Sequence, residues 1–399
     1  MCNHKILINM KKIILSLVAL FVFSNVFSQG IEFEHGTFSE ALAKAKKENK
    51  VVFVDCYTTW CGPCKYLAKN VFTQKEVGDF FNKNFVNVKM DMESEAGKPL
   101  MSRYQVSAFP TLLWLDGDGN IQHKTMGAGD ANSLIATATL ALDKENNWSA
   151  LDKRFKKGDR NPEFMQKYIM TSSRAGIDVK EATDAYFSSK KPEELINSGD
   201  AELITNTVKS TSNPIYHFVL KNKSKFYAVA DKGQVNQFLE YTMMGELGQL
   251  ARKGDMDAFN LKKQEFIALD KEVGTKVVAF MDMNMLRRDP DQKKFYQAMA
   301  DYAIKYDFDN SENLNRYAWG IAEAKEKLGQ ELLNTAVKMA KRSVELNANF
   351  ANIDTYAFLL NKVGQKEEAK VQAKKSVELA PEDQKKDLWA AKFLKGEEN

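Results

Sequence analysis

Three cysteines, Cys56, Cys61 and Cys64, lie within nine residues in the segment DCYTTWCGPCK of a 399-residue chain whose one other cysteine is Cys2. Such thiols can form a redox couple, bind a metal or an iron–sulfur cluster, or pack in a core. The C-x4-C-x2-C spacing matches the start of a plant-type ferredoxin pattern, but no cysteine follows Cys64 to supply a fourth thiolate. The histidines show no paired ligand spacing for zinc. We therefore expect no metal site.

A redox couple needs a strand that ends in a turn, followed by a helix that begins at the first of two cysteines separated by two residues. The apolar run Val51 to Val54 predicts the strand, and Cys61 is placed to begin the helix. Unpaired N–H groups and the dipole at a helix N-terminus favour the thiolate, so Cys61 is the predicted attacking sulfur. Cys64, one turn on, is placed to resolve a mixed disulfide. Pro63 fixes φ early in the helix, and Gly62 leaves the approach open.

The elements expected to position these thiols alternate between helix and strand through the first third of the chain. Two capping boxes, Thr37 with Glu40 and Thr73 with Glu76, predict the starts of two helices. Apolar patterns predict the remaining elements. These are a strand at Val51 to Val54, a strand from Phe85 to near Asp91, a short helix at Leu100 to Tyr104, two strands within Phe109 to His123 joined by a turn, and a helix at Ala131 to Leu142.

Strand signals end near Asn147, and charged helical segments with little proline or glycine continue to the C-terminus. The tetrapeptide SVEL at Ser343 recurs at Ser376, 33 residues later, which suggests stacked helical hairpins. The last hairpin resembles a tetratricopeptide repeat (TPR), and Asn313 to Leu346 resembles a longer variant; an ordinary pairing of helices is the alternative. The residues at TPR packing positions are Ile353, Ala357, Leu360, Gly364, Ala369, Leu379 and Pro381.

The segment VDCYTTWCGPCK resembles the active site of thioredoxins, with the run from Trp60 to Cys64 matching that family's signature residue for residue. The resemblance covers about Ile31 to Asp143. The segments FSEALAKAKKENKVVFVD and KNVFTQKEV are similar to secreted thioredoxin-like proteins, including the thioredoxin-like domain of bacterial thiol-transporting membrane reductases. This implies an α/β thioredoxin fold, a central mixed sheet flanked by helices, followed by an all-α region of TPR-like hairpins.

Four segments are therefore predicted along the chain. They are a signal peptide at 1–28, a thioredoxin-like domain at 29–147, a helical domain at 148–310 and TPR-like hairpins at 311–399. The C-terminal helices are predicted to dock client proteins on a concave surface, with a stabilising or self-associating role as the alternative.

Two charged positions follow from the resemblance. Asp55 matches the buried carboxylate of thioredoxins, which implies that it moves a proton to or from Cys64, and Lys89 matches the lysine near that carboxylate. A buried aspartate without a lysine would be costly. The alternative is that Asp55 merely ends a strand.

The substrate groove also follows from the resemblance. Phe109-Pro110-Thr111 matches the cis-proline turn that faces the redox pair and pairs with an extended substrate, so Pro110 is predicted to be cis. The implied substrate-binding residues are Trp60, Gly62, Pro63, Phe109, Pro110 and Gly127. Cys56 departs from the family, which commonly has an aromatic residue there. It is predicted to be a small core hydrophobe, with a regulatory third thiol as the alternative.

Residues 1–28 have the pattern of a secretory signal peptide. Met10-Lys11-Lys12 precedes the apolar run Ile13 to Phe23, and small or polar residues lead to a cut before Gln29. This predicts export to the periplasm or beyond, as in Gram-negative bacteria. The formal net charge of +4 falls closer to zero when the leader's lysines are removed, which gives no reason to expect nucleic acid as a partner.

The resulting hypothesis is an exported thiol–disulfide oxidoreductase, most simply a protein disulfide reductase, because its Gly62-Pro63 dipeptide resembles low-potential thioredoxins. The expected partners are proteins with disulfides and a thiol electron donor, for which a membrane protein is one option. No cofactor is expected. The alternatives are a disulfide oxidase or isomerase, or a helical interaction module whose thioredoxin domain only binds partners.

Overall fold

The computed structural model describes residues 30–397, so the predicted signal peptide lies outside the described residues. The chain divides after Thr207 into two units. Within 30–397, the helices are too short or too polar to cross a membrane.

The first unit opens with alternating helices and strands. The elements are α1 (Phe38–Glu48), β1 (Val51–Tyr57), α2 (Gly62–Tyr66), a π-helical turn (Leu67–Val71), α3 (Lys75–Asn84), β2 (Phe85–Asp91), α4 (Gly97–Arg103), β3 (Thr111–Leu115), β4 (Ile121–Met126) and α5 (Ala131–Leu142). The strands form one mixed sheet in the order β2-β1-β3-β4, with β1 parallel to β2 and the other two pairs antiparallel. The predicted mixed sheet with flanking helices is confirmed.

Side chains alternate between the two faces of the sheet. On one face, Phe53 and Trp114 pack with residues of α3 and α5, among them Phe81 and Ala138. On the other, alternate residues of β1, including Val54, pack with α1 and with the segment around α4. The two faces therefore give Asp55 and Cys56, which are neighbours on β1, different surroundings.

One predicted capping box is confirmed and the other is wrong. At α1 the Thr37 hydroxyl oxygen accepts from the Glu40 N–H (3.2 Å), and the Glu40 carboxylate accepts from the Thr37 N–H (2.7 Å). At α3 the N-cap is Gln74, without a side-chain capping bond. Thr73 instead donates its hydroxyl to the carbonyl of Lys69, four residues earlier, at 2.9 Å. The helix predicted at Leu100 to Tyr104 begins earlier, at Gly97.

Four further helices complete the first unit. They are α6 (Trp148–Lys156), α7 (Pro162–Arg174), α8 (Lys180–Ser188) and α9 (Ser198–Thr207), with a 3₁₀ turn at Pro192–Leu195. Helices α6 and α7 contact β4. The Trp148 N–H donates to His123 Nδ1 on β4 at 3.2 Å, and burial lowers the pKa of His123 to about 4, so the ring is a neutral acceptor. The first helices beyond residue 147 thus pack on the sheet, and the four-segment division remains a proposal.

The second unit is all-helical. Its elements are α10 (Pro214–Lys221), α11 (Lys223–Phe226), α12 (Lys232–Lys253), α13 (Met256–Leu269), α14 (Lys271–Met285), α15 (Gln292–Tyr306), α16 (Ser311–Ala322), α17 (Gln330–Leu346), α18 (Phe350–Lys362), α19 (Lys366–Leu379) and α20 (Trp389–Lys395), with 3₁₀ turns at Leu286–Arg288 and Lys385–Asp387. A buried cluster runs from α14 to α18 and includes Met299, Ile321 and Met339.

The SVEL repeat has the same structural role twice. Ser343 donates its hydroxyl to the carbonyl of Ser311, the first residue of α16, at 2.7 Å. Ser376 donates to the carbonyl of Phe350, the first residue of α18, at 2.8 Å. Each serine therefore ties the second helix of a hairpin to the start of the first. Four of the seven predicted packing positions are buried, namely Ile353, Ala357, Leu360 and Ala369, whereas Gly364, Leu379 and Pro381 are exposed.

Candidate functional site

Cys61 and Cys64 lie at the start of α2 and are joined by a disulfide. Cys61 is the N-cap residue, and its Sγ accepts from the Cys64 N–H at 3.1 Å. The turn before it closes through the Cys61 N–H and the Thr58 carbonyl at 3.3 Å. Pro63 lies in the first turn, and a Cβ on Gly62 would meet no atom within 4 Å. The two cysteines can therefore alternate between this disulfide and a pair of thiols, at a site that a partner can approach past Gly62.

The Phe109–Pro110 peptide bond is cis, as predicted. The Gly127 N–H donates to the Pro110 carbonyl at 2.9 Å, which links β4 to the proline turn. Gly127 has φ +94°, a left-handed conformation that favours glycine, although a Cβ there would meet no atom within 4 Å. The Trp60 ring meets the Phe109 ring edge-on, with centroids 6.0 Å apart. This contact brings the cysteine turn and the proline turn together.

The exposed indole of Trp60 is fixed by a carboxylate that the sequence analysis missed. Its Nε1–H lies 3.0 and 3.1 Å from the two carboxylate oxygens of Glu93. Trp60 is 65% exposed, so its indole presents a large apolar surface beside Cys61. The parallel strands β1 and β2 end at the same edge of the sheet, so residues that follow them lie close together. The position of Glu93 just after β2 could therefore have predicted its contact with Trp60, which follows β1.

Asp55 is buried on β1, with 1% of its surface exposed. Within the described residues neither carboxylate oxygen has a hydrogen-bond partner. Lys89 lies opposite Asp55 in the register of β1 and β2, and its Nζ is 3.7 Å from Asp55 Oδ2, an ion pair too long for a hydrogen bond. Burial raises the pKa of Asp55 to about 6, and the Lys89 charge opposes that rise. The carboxyl group can therefore accept or donate a proton near neutral pH.

Cys56 is a free, buried thiol on the face of β1 opposite to Asp55. Burial raises the pKa of its thiol above the usual range, so it stays protonated. This environment fits the predicted small core hydrophobe, and the regulatory alternative stays untested. Among residues 30–397, no group of three or more His, Cys, Asp or Glu side chains is placed to hold a metal ion.

Lys124 is a second residue that sequence reasoning missed. It is buried on β4, and its Nζ donates to the carbonyls of Tyr104 (3.2 Å) and Gln105 (2.9 Å). Gln105 has φ +49°, so the ammonium holds a left-handed turn in the segment that leads to the proline turn. A lysine within a strand gave no signal of this contact.

The family model that describes thioredoxins matches residues 30–139. Residues 30–139 are a thioredoxin-family domain. Thioredoxin Y, chloroplastic, of Oryza sativa subsp. japonica is 36% identical over 107 residues, 27% of this chain and 60% of that protein. Thiol:disulfide interchange protein DsbD of Pseudomonas fluorescens is 31% identical over 98 residues, 24% of this chain and 17% of that protein. The chain therefore spans less than two thirds of either relative.

A solution structure of a disulphide-isomerase candidate from Bacteroides thetaiotaomicron is 47% identical, over 29% of this chain and 96% of that chain, with a TM-score of 0.27. The similarity to all three proteins is confined to less than a third of this chain. In the thioredoxin-family domain, the Cys61–Cys64 pair fits the CXXC motif.

Proposed function

We propose that this chain is an exported thiol–disulfide oxidoreductase that reduces disulfides in client proteins. The observation that carries the proposal is the Cys61–Cys64 pair at the start of α2, joined through the Trp60–Phe109 contact to a cis-proline turn. Trp60, Gly62, Pro63, Phe109, Pro110 and Gly127 form the groove for an extended client segment. The signal-peptide pattern at 1–28 supports export, and the mass of the mature protein tests it.

The reaction balances as two thiol–disulfide exchanges. The Cys61 thiolate attacks one sulfur of the client disulfide, so that a Cys61–client bond forms and the other client sulfur leaves as a thiolate. Cys64 gives its proton to Asp55 and attacks Cys61 Sγ. The Cys61–Cys64 bond then forms, and the second client sulfur leaves and is protonated by solvent. Two electrons have passed to the client, so a thiol donor must reduce the protein again, and a membrane protein is one option for that donor.

The Gly62-Pro63 dipeptide supports reduction as the direction, since thioredoxin, with a potential of about −270 mV, is a good donor when reduced. Disulfide oxidation and isomerisation use the same sulfurs. Equilibration of the pair with dithiothreitol or glutathione buffers separates these activities. A potential near about −270 mV supports the reductase, whereas one near about −120 mV, as in a strong oxidant, would assign the oxidase.

Insulin reduction with dithiothreitol, followed as turbidity, tests the activity. Cys61→Ser is expected to abolish turnover, whereas Cys64→Ser is expected to accumulate mixed disulfides with clients, because attack is retained and release is lost. Cys56→Ser is the matched control and is expected to keep the wild-type rate, because that thiol is buried on the other face. Traps formed by Cys61→Ser would reverse the two roles, and turbidity no higher than without enzyme would remove the reductase.

The same trap tests the proposed docking role of the second unit. A chain that ends at Thr207 is preferable to one that ends at Asn147, because α6 and α7 pack on β4. If this shorter chain, with Cys64 present, reduces insulin normally, but its Cys64→Ser variant captures fewer native clients than the full-length Cys64→Ser protein, the helices dock clients. An unchanged set of clients would leave them a stabilising role.

A further inference from the structure

The Lys89 ammonium lies against two aromatic rings as well as a carboxylate. Its Nζ is 4.8 Å from the centroid of the Tyr57 ring and 5.9 Å from that of Phe33. The same atom lies 3.7 Å from Asp55 Oδ2. Only 31% of the lysine side chain is exposed, so these groups replace much of its solvent. We call Phe33 and Tyr57 together the aromatic clamp.

The sheet places one half of the clamp. Asp55 and Tyr57 are two residues apart on β1, so their side chains leave the same face of the strand. The register of β1 and β2 sets Lys89 opposite Asp55. The lysine side chain therefore emerges beside both residues.

The chain ahead of α1 supplies the other half. This segment runs along β2. There the Glu34 N–H donates to the Asn87 backbone carbonyl (2.8 Å), and the Asn87 side-chain amide donates to the Glu32 carbonyl (3.2 Å). These bonds fix the backbone on both sides of Phe33. Its ring also meets the Phe72 ring edge-on, with centroids 5.8 Å apart. Phe33 is thus held in place independently of Lys89.

The ion pair alone is a weak restraint on the lysine. At 3.7 Å it lacks a hydrogen bond, and a lysine side chain loses substantial rotamer freedom when it is held in one position. The face of an aromatic ring attracts an ammonium group, and more strongly where water is partly excluded. Without the clamp the ammonium is free to move into solvent, and burial would then favour the protonated form of Asp55.

We propose that Phe33 and Tyr57 are positioning residues, which hold the Lys89 ammonium beside Asp55 so that the carboxylate is ionised and ready to take the proton of Cys64. This inference rests on the proposed function for the identity of the proton donor. It assigns no contact with the client to either ring.

Few other titratable groups influence Asp55 in the part of the chain that the structure describes. The Tyr57 hydroxyl and the Cys56 thiol, on the same strand, both have a pKa raised by burial, so both are neutral near pH 6. Asp91, at the end of β2, acts on Tyr57. Cys64 and Cys61 do not titrate while they are joined. In the oxidised protein, therefore, Lys89 is the charged group that opposes the effect of burial on the titration of Asp55.

The test is an NMR titration of the Asp55 carboxyl carbon in the oxidised full-length protein. Tyr57→Leu and Phe33→Leu are each expected to raise the midpoint above its value of about 6, by roughly half a pH unit. Tyr57→Phe keeps the ring and is expected to leave the midpoint in place. Phe80→Leu is the matched control, because Phe80 is half-buried on the same core and its ring contacts Phe81 and Phe85.

Lys89→Met decides whether the rings act through the lysine. In that background the midpoint is expected to be higher, and Tyr57→Leu is expected to add no further shift. An equal shift with and without Lys89 would overturn the clamp, as would an unmoved midpoint in both Tyr57→Leu and Phe33→Leu. Phe33→Leu gives the second, independent variant if one of the two fails to fold.

Client release distinguishes this inference from the proposed function. If the Asp55 midpoint and the pH midpoint of mixed-disulfide release move together, both stand. A shift in the Asp55 titration without any change in release would support the clamp and remove Asp55 from the reaction. If the wild-type protein does not reduce insulin, but the Asp55 midpoint shifts as expected in Tyr57→Leu and Phe33→Leu, the reductase is overturned and the clamp stands.

Discussion

Asp55 on β1 and Asp200 on α9 are both buried in the first unit, but their surroundings differ. Asp200 accepts hydrogen bonds from four side chains, those of Gln166, Tyr186, Lys190 and Asn197. Among the described residues, Asp55 has only the longer ion pair with Lys89. Burial raises the pKa of Asp55 to about 6, whereas at Asp200 the donors outweigh burial and hold the pKa below its usual value. Two carboxyl groups with almost no exposed surface thus differ, since Asp55 titrates near neutrality and Asp200 stays ionised.

The two pKa shifts have opposite consequences for stability. A carboxyl group whose pKa is raised on folding binds its proton more tightly in the folded state. Asp55 therefore stabilises the folded protein below its ordinary pKa of 3.8, and this contribution is lost as the pH rises through about 6. The contribution of Asp200 is present at neutral pH and is lost as the pH falls through its lowered pKa. At neutral pH, the hydrogen-bonded Asp200 therefore stabilises the folded state, whereas Asp55 at the redox site does not.

Asp200→Asn is expected to have the largest effect on stability. The new amide would point N–H groups at donors, and the Lys190 ammonium would lose its partner, at a cost of about 4 kcal/mol. Urea unfolding at pH 7 measures the loss. Asp184→Asn, which breaks the exposed pair with Lys180 on α8, is the control and should cost less than about 0.5 kcal/mol. Similar losses in both variants would mean that Asp200 is not the structural member of the comparison.

Asp55→Asn is expected to act in the opposite direction. The change of pKa from 3.8 to about 6 corresponds to about 3 kcal/mol, so the neutral amide should raise the free energy of unfolding by up to that amount at pH 8 and by little at pH 4. The release of mixed disulfides should slow on the order of 100-fold, because the proton acceptor of Cys64 is lost.

Two measurements check this variant. Urea unfolding at pH 4 and pH 8 gives the stability change, and quenched mixing of the Cys61–client intermediate gives the release rate. A stability gain that is the same at both pH values would contradict the assigned burial effect. If Asp55→Asn releases mixed disulfides at the wild-type rate at every pH, Asp55 is a structural residue, like Asp200.

The sequence could predict the parts of the site that depend on short-range pattern. The strand before Cys61, the cis bond at Pro110 and the pairing of Asp55 with Lys89 followed from motif and resemblance. The aromatic clamp could not be predicted, because Phe33 reaches Lys89 only through the path of the chain along β2. The capping box at Thr73 was wrong because the Thr73 hydroxyl donates back to the Lys69 carbonyl, an alternative that the Thr-x-x-Glu pattern does not encode.

The helical region shows the same limit. Asp200 has the sequence context of an exposed helix residue, and its four donors come from separate segments of the chain. The SVEL repeat did predict hairpins, because repeated serines make repeated contacts. Its leucines did not predict burial, since Leu379 is exposed whereas Leu346 packs partly against the core.

The smallest expected effect tests whether buried polar groups with partners are structural in the second unit too. Ser376→Ala removes one hydrogen bond, to the Phe350 carbonyl, and should cost about 1 kcal/mol. Ser343→Ala should cost more, because the Ser343 hydroxyl also lies 3.1 Å from the Asn352 amide and 3.2 Å from the Ser311 hydroxyl. Both variants should reduce insulin at the wild-type rate, since neither serine belongs to the redox site. Urea unfolding of the two variants side by side measures the difference in stability. A larger loss in Ser376→Ala would contradict the ranking by hydrogen bonds, and a changed insulin-reduction rate in either variant would show that these serines affect the redox site.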